Sequence, residues 1–168
     1  VDAIAGPLTP SGLFYFLDTG VDNLRLGFSS GAEKVRVAFE IADERIAEGQ
    51  VEVDKNMFSL IMYNFFSNAI KYTKTNSEIR FHYSNDQRKL DISMISLKME
   101  KIEIAKLSMD GIRGKHAKNI PGKGIGLFVI QKSLELMKKN KMYIAANYEK
   151  VFYENDLPYN ENHFQFEL

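Results

Sequence analysis

Cysteine is absent from the 168 residues. The chain can therefore form no disulfide and no zinc–thiolate centre, and it has no thiol nucleophile. The absence fits a reducing compartment. An excess of charge of either sign is also missing, because 22 lysines and arginines balance 22 aspartates and glutamates. No global field draws the chain to nucleic acid or to an anionic membrane. No apolar run approaches the ~20 residues needed to span a bilayer. The chain starts at Val1, as a processed or excised piece does, and no secretory signal is visible.

What is present is ordinary in bulk and pointed in detail. Hydrophobic residues make up 45%, which is typical of a globular domain of this length. Turn residues frame one apolar burst in the opening stretch, and residues 1–32 read as a leader or the remnant of an upstream segment, ahead of a domain over 33–168. KVRVAFEI from Lys34 alternates as a half-buried strand, and Ile46 to Val53 reads as a second strand. Asp54 is placed to cap a helix running to about Tyr72. EIRFHYS and KLDISMIS form an expected hairpin around Asn85, Asp86 and Gln87. A short helix is expected from Glu100 to Leu107, and a longer one over LFVIQKSLELMKK. MYIAANY and HFQFEL close the chain as strands, joined by a polar, mobile YENDLPYNEN. This order predicts helices packed on one face of a mixed sheet.

Two stretches carry candidate chemistry. In MYNFFSNAIKYT, at about 100° per residue, Asn64, Asn68 and Lys71 share one polar stripe. Phe58, Met62, Phe65, Phe66 and Ala69 gather on another side, facing a core. One asparagine in a helix is explained by local backbone bonding; two amides and an ammonium on one stripe look like a site. Amide oxygens suit a hydrated Mg²⁺. The second stretch is GKGIGL, with Gly122, Gly124 and Gly126 directly before a helix. Glycine lets backbone approach a ligand closely, and the helix N–H groups favour an anion. Arg113, Lys115, Lys118 and Lys123 add positive charge. Together the stretches describe a nucleoside triphosphate site between a helix and a flexible lid.

These motifs resemble the ATP-binding domain of sensor histidine kinases, within the GHKL superfamily. YNFFSNAIKYT is similar to the family's N box, PGKGIGLFVIQKSLELM to its second glycine box, and DGIRGKHAKNI to its ATP lid. The resemblance implies an α/β (α+β) two-layer sandwich, with a mixed, mostly antiparallel sheet covered by helices on one face. It implies ATP and Mg²⁺ as ligands, with Asn68 on the metal and Asn64 beside it. Lys71 and Tyr72 match residues that reach the nucleotide, and Asn64 and Lys71 are the catalytic candidates. Gly122, Gly124 and Gly126 match the lid glycines, flanked by Lys123, Ile125 and Leu127, with Arg113 and Lys115 upstream. Hydrolases of this superfamily place a glutamate where Asn64 stands, and an amide cannot serve as that general base.

By the same resemblance the chain acts cytoplasmically, with a dimerisation domain carrying the phosphoacceptor histidine and with a response regulator. His82, His116 and His163 lack the acceptor's sequence context. The family's first glycine box, DxGxG, should fall within ISMISLKMEK, which holds no aspartate and no glycine; Ser96 is the hydrogen-bonding residue nearby. An aromatic before the lid and paired glycines after the last lid helix are also absent, the latter replaced by KKNK. The alternative to a kinase domain is therefore a catalytically degenerate domain of the same fold that acts as an interaction module.

Overall fold

The computed structural model describes residues 7–8, 35–42, 51–52, 54–84, 87–107, 109, 111–118, 120 and 126–168. Two short strands, β1 (Pro7–Leu8) and β3 (Val51–Glu52), pair antiparallel as a separate ribbon. The remainder of the leader, and residues 46–50 and 53 of the expected second strand, lie outside the described residues.

Helix α1 (Lys55–Tyr72) begins where Asp54 accepts a 3.0 Å hydrogen bond from the Met57 backbone N–H, satisfying a donor the first turn would leave orphaned. Its buried residues are Phe58, Ile61, Met62, Phe65, Phe66 and Ala69, the stripe that a 3.6-residue period places on one face. α1 links β2 (Val35–Ala42) to β4 (Ser77–Ser84), which run parallel; a parallel pair requires such a crossover. β4 pairs antiparallel with β5 (Lys89–Leu97), as the alternation predicts.

Helix α2 (Gly126–Leu136) contributes Ile130 and Leu134 to the core. It ends three residues short of the expected Lys139. Lys138 takes a positive φ of 57°, and Lys139 and Lys138 donate to the Leu134 and Glu135 carbonyls. That is a Schellman stop formed without glycine. β6 (Tyr143–Glu154) and β7 (Leu157–Glu167) complete a five-stranded sheet in the order β2-β4-β5-β7-β6.

One layer is this mixed sheet and the other is the helix pair, as expected. Ile79, Phe81, Tyr83, Leu90, Ile92, Phe164 and Phe166 meet α1 and α2 in a single core. The Phe65 ring packs edge-on against Phe164 at 5.2 Å and Phe166 at 6.0 Å. Burying each such ring contributes about 1.5–3 kcal/mol.

Two expectations fail. YENDLPYNEN is not a mobile connection but the tip and return arm of one long hairpin. Asn155 and Asp156 both adopt positive φ, 49° and 64°, as the central residues of a type I′ turn do. The return arm is an interior strand paired on both sides, and its Asn160 and Asn162 are polar yet buried, so the composition of the segment mimics a loop. The helix expected from Glu100 to Leu107 is a single 3₁₀ turn, Ile104–Lys106. The Glu103 carboxylate accepts from the Glu100 backbone N–H at 2.9 Å, a local bond that competes with helix continuation.

Candidate functional site

The polar stripe of α1 opens onto a cleft of about 210 Å³ between α1, the start of α2, the end of β5 and the lid. Asn64, Asn68, Lys71 and Tyr72 line it from α1, Gly126 and Leu127 from α2, and Arg113 from the lid. Seven of the candidate site residues therefore meet at one place. Lys115 does not line the cleft; it is exposed, and its backbone N–H donates to Glu103 at 2.7 Å. It opens the 3₁₀ turn Lys115–Ala117. Gly122, Lys123, Gly124 and Ile125 lie outside the described residues.

Asn64 donates its amide N–H to the Leu60 carbonyl one turn back, at 2.9 Å. This is the local backbone bond expected of a helical asparagine, and it leaves the amide oxygen as the atom available to a ligand. Asn68 presses on the start of α2. A Cβ built on Gly126 would lie 2.6 Å from its Nδ2 and 3.1 Å from its Oδ1. Any side chain at this position would have to displace the Asn68 amide.

The lid is held in place by its own side chains. Arg113 Nη2 donates to the Ala117 carbonyl at 2.6 Å and to the Ile120 carbonyl. Its guanidinium thus ties the loop together as well as bringing charge to the cleft. Glu103 joins both ends of the segment, taking the Glu100 and Lys115 N–H groups. His116 pairs with Glu100 at 3.0 Å, and Lys98 lies 3.5 Å from the same carboxylate. The His116 hydrogen bond is the largest influence on the Glu100 carboxyl and, with Lys98, holds it below its ordinary pKa against the opposing effect of desolvation. Gly111 supplies a positive φ of 73° in the same loop.

The far end of the cleft is apolar, walled by Met94, Leu97 and Met99 from β5 and its continuation, by Leu107 and Ile112 from the lid, and by Phe164. The β6–β7 hairpin braces this wall: Tyr148 donates its hydroxyl to the Met99 carbonyl at 2.7 Å, and Lys98 donates to the Pro158 carbonyl at 2.9 Å. Burial raises the Tyr148 pKa, helped by Glu100 and Glu103, which keeps its proton in place for that bond. Ser96 is the hydroxyl on this wall.

Two residues escaped the sequence reading. Asn160 and Asn162 on β7 are fully buried on the core face. Counting back by two from Phe166 and Phe164 in YNENHFQF places both amides at core-facing positions, which was the available signal.

Lys71, Lys98 and Arg113 are the charged residues on the cleft, and among the described residues no carboxylate lines it. Among them, too, no group of three His, Cys, Asp or Glu side chains could cage a metal. The donor set present, amide oxygens beside an open cleft, fits a cation that keeps most of its waters and shares an anionic ligand. No helix among the described residues is long and apolar enough to cross a membrane.

No family model matches the chain, and no curated protein matches it. Solved structures do. A mycobacterial sensor histidine kinase, MprB, matches at 15% identity over 95% of this chain and 96% of that one, with a TM-score of 0.70. The catalytic domain of histidine kinase ThkA, in a nucleotide-free form, matches at 17% identity over 89% and 92%, with a TM-score of 0.58. The cytoplasmic segment of histidine kinase QseC matches at 12% identity over 97% and 76%, with a TM-score of 0.53. The chain has the fold of sensor histidine kinase catalytic domains.

Proposed function

We propose that residues 33–168 form the catalytic domain of a two-component sensor histidine kinase, with residues 1–32 as a leader or the remnant of an upstream segment. It binds a magnesium–purine nucleoside triphosphate, ATP being the donor its resemblance implies, and passes the γ-phosphoryl group to a histidine outside this chain. The observation that carries this reading is the convergence of Asn64, Asn68, Lys71, Arg113 and the start of α2 on one cleft with an apolar far end. Cations and free helix N–H groups suit phosphates, and an apolar slot suits a base.

Asn68, with Asn64, would hold the magnesium, which when bound offsets phosphate charge. Lys71 and Arg113 neutralise the remainder, and the lid excludes water from the transferring group. Phosphoryl transfer needs mainly such positioning and charge stabilisation. The γ-phosphorus loses its bond to the bridging oxygen, gains one to an imidazole nitrogen, and the nucleoside diphosphate leaves. With Asn64 in place of a carboxylate, no side chain on the described cleft walls activates water, which favours transfer over hydrolysis.

The test is titration of the full chain with a ribose-labelled fluorescent ATP analogue, with Mg²⁺ and with EDTA. Saturable, magnesium-dependent binding that Asn68→Ala weakens at least tenfold is the expected result. No binding at millimolar nucleotide would refute the kinase reading and leave an interaction module of the same fold.

A further inference from the structure

The base end of the cleft departs from a simple apolar slot, and the preference inferred for it rests on the proposed nucleotide site. Asn162 Nδ2 lies 2.8 Å from Ser96 Oγ, 3.4 Å from the Ser96 carbonyl oxygen and 3.3 Å from the Asn160 carbonyl oxygen. Those two carbonyls fix the amide's orientation. An amide oxygen in that position would face two acceptors, so the nitrogen must occupy it. Ser96 Oγ therefore accepts the Asn162 N–H through one lone pair, and its own proton remains to be donated. Among the described residues, no hydrogen bond carries that proton to an acceptor. Ser96 is only 5% exposed, yet it lines the cleft.

The surroundings reinforce this polarity. Lys98, whose side chain can only donate, is the other polar residue of this segment on the cleft, and no aspartate or glutamate lines it among the described residues. Behind Ser96, Asn162 Oδ1 and both side-chain polar atoms of Asn160 are buried without hydrogen-bond partners. An amide pair fully buried with such orphaned atoms is expensive, and this one sits where it orients the hydroxyl of that wall. A carboxylate at neutral pH only accepts, and so selects a base edge bearing an amino group. A hydroxyl also offers a proton, and so can meet a carbonyl edge that a carboxylate repels.

We propose that this cleft takes a 6-oxopurine nucleotide, guanine or hypoxanthine, at least as tightly as an adenine nucleotide, through the Ser96 hydroxyl oriented by Asn162. The amide acts only through Ser96 and is a positioning residue. The experiment is displacement of the same fluorescent analogue from the full chain, with Mg²⁺, by unlabelled ATP, GTP and ITP. ITP and GTP should displace it at concentrations equal to or below that of ATP. Ser96→Asp, which installs an acceptor-only group, should reverse the order to favour ATP by tenfold or more. Ser96→Ala, the milder change, should lower ITP affinity more than ATP affinity and so shift the ITP-to-ATP ratio toward ATP.

ATP displacing at a lower concentration than ITP in the unsubstituted chain would overturn the proposal and leave the nucleotide site intact. An unchanged ITP-to-ATP ratio in Ser96→Ala would also overturn it. Failure of the analogue itself to bind would refute the nucleotide site and the base preference with it.

Discussion

A methyl group at Gly126 would collide with Nδ2 of Asn68 at 2.6 Å, and the consequences for folding and binding should have opposite signs. Gly126 does not take a positive φ, and replacing such a glycine by alanine stabilises by about 0.4–1 kcal/mol through the unfolded chain, so Gly126→Ala should leave the melting temperature unchanged or raised. The Asn68 amide must rotate away to admit the methyl, and displaced metal-supporting groups typically cost 10–100-fold in affinity. Magnesium-dependent binding of the fluorescent nucleotide should fall by about tenfold, a drop that EDTA controls would not show. Equal losses of stability and affinity would instead mean that the methyl disturbs the packing of α1 on α2. The contact also shows how far single residues were legible. The N-box stripe and the glycine before α2 were readable because a 3.6-residue period and a glycine-rich helix start both leave marks in sequence. That Gly126 answers to Asn68, 58 positions earlier in the chain, was not readable, because only the packing of the two helices brings them together.

At the scale of elements, local pattern and tertiary context agree for α1, β4 and β5 and diverge for β6 and β7. α1 has a core-facing stripe and a capping aspartate, and its observed limits reflect both. The β6–β7 hairpin was misread because one face of β7 turns polar at Asn160 and Asn162 and because Asn155–Asp156 is a weaker turn signal than Asn-Gly. That turn holds two non-glycine residues at positive φ, where an L side chain costs about 1–2 kcal/mol. Asp156→Gly should therefore stabilise the chain by about 1 kcal/mol, seen as a higher urea midpoint at unchanged slope. A lower midpoint would show that the Asp156 side chain contributes more than its backbone strain removes. Because the hairpin supports the cleft wall through Tyr148 and Pro158, nucleotide affinity in this variant should not decline.

For the molecule as a whole, the two-layer class was legible from the alternation of strands and helices. The strand order was not, since register and adjacency depend on which edges meet after the helices are placed. The sheet's outer face, away from the helices, carries an interaction that only this order creates. His163 on β7 bonds to Asp91 on β5 at 3.0 Å and to Glu161 at 2.8 Å. Desolvation pulls its pKa down, but the hydrogen bonds and charges of Asp91 and Glu161 outweigh it, and the net shift is upward. A raised native pKa means that the folded chain holds the proton more tightly than the unfolded one. Its stabilisation is fully present below the unfolded value of about 6.5 and is lost as pH rises through the native value. His163→Gln should therefore destabilise most near pH 6, by less than about 1 kcal/mol because solvent screens this partly exposed group. The difference between the two chains in urea unfolding should shrink by about pH 9, when the unsubstituted imidazole is neutral as well. A difference that stays constant across that range would assign the loss to packing between β5 and β7 rather than to the proton that His163 shares with its two carboxylates.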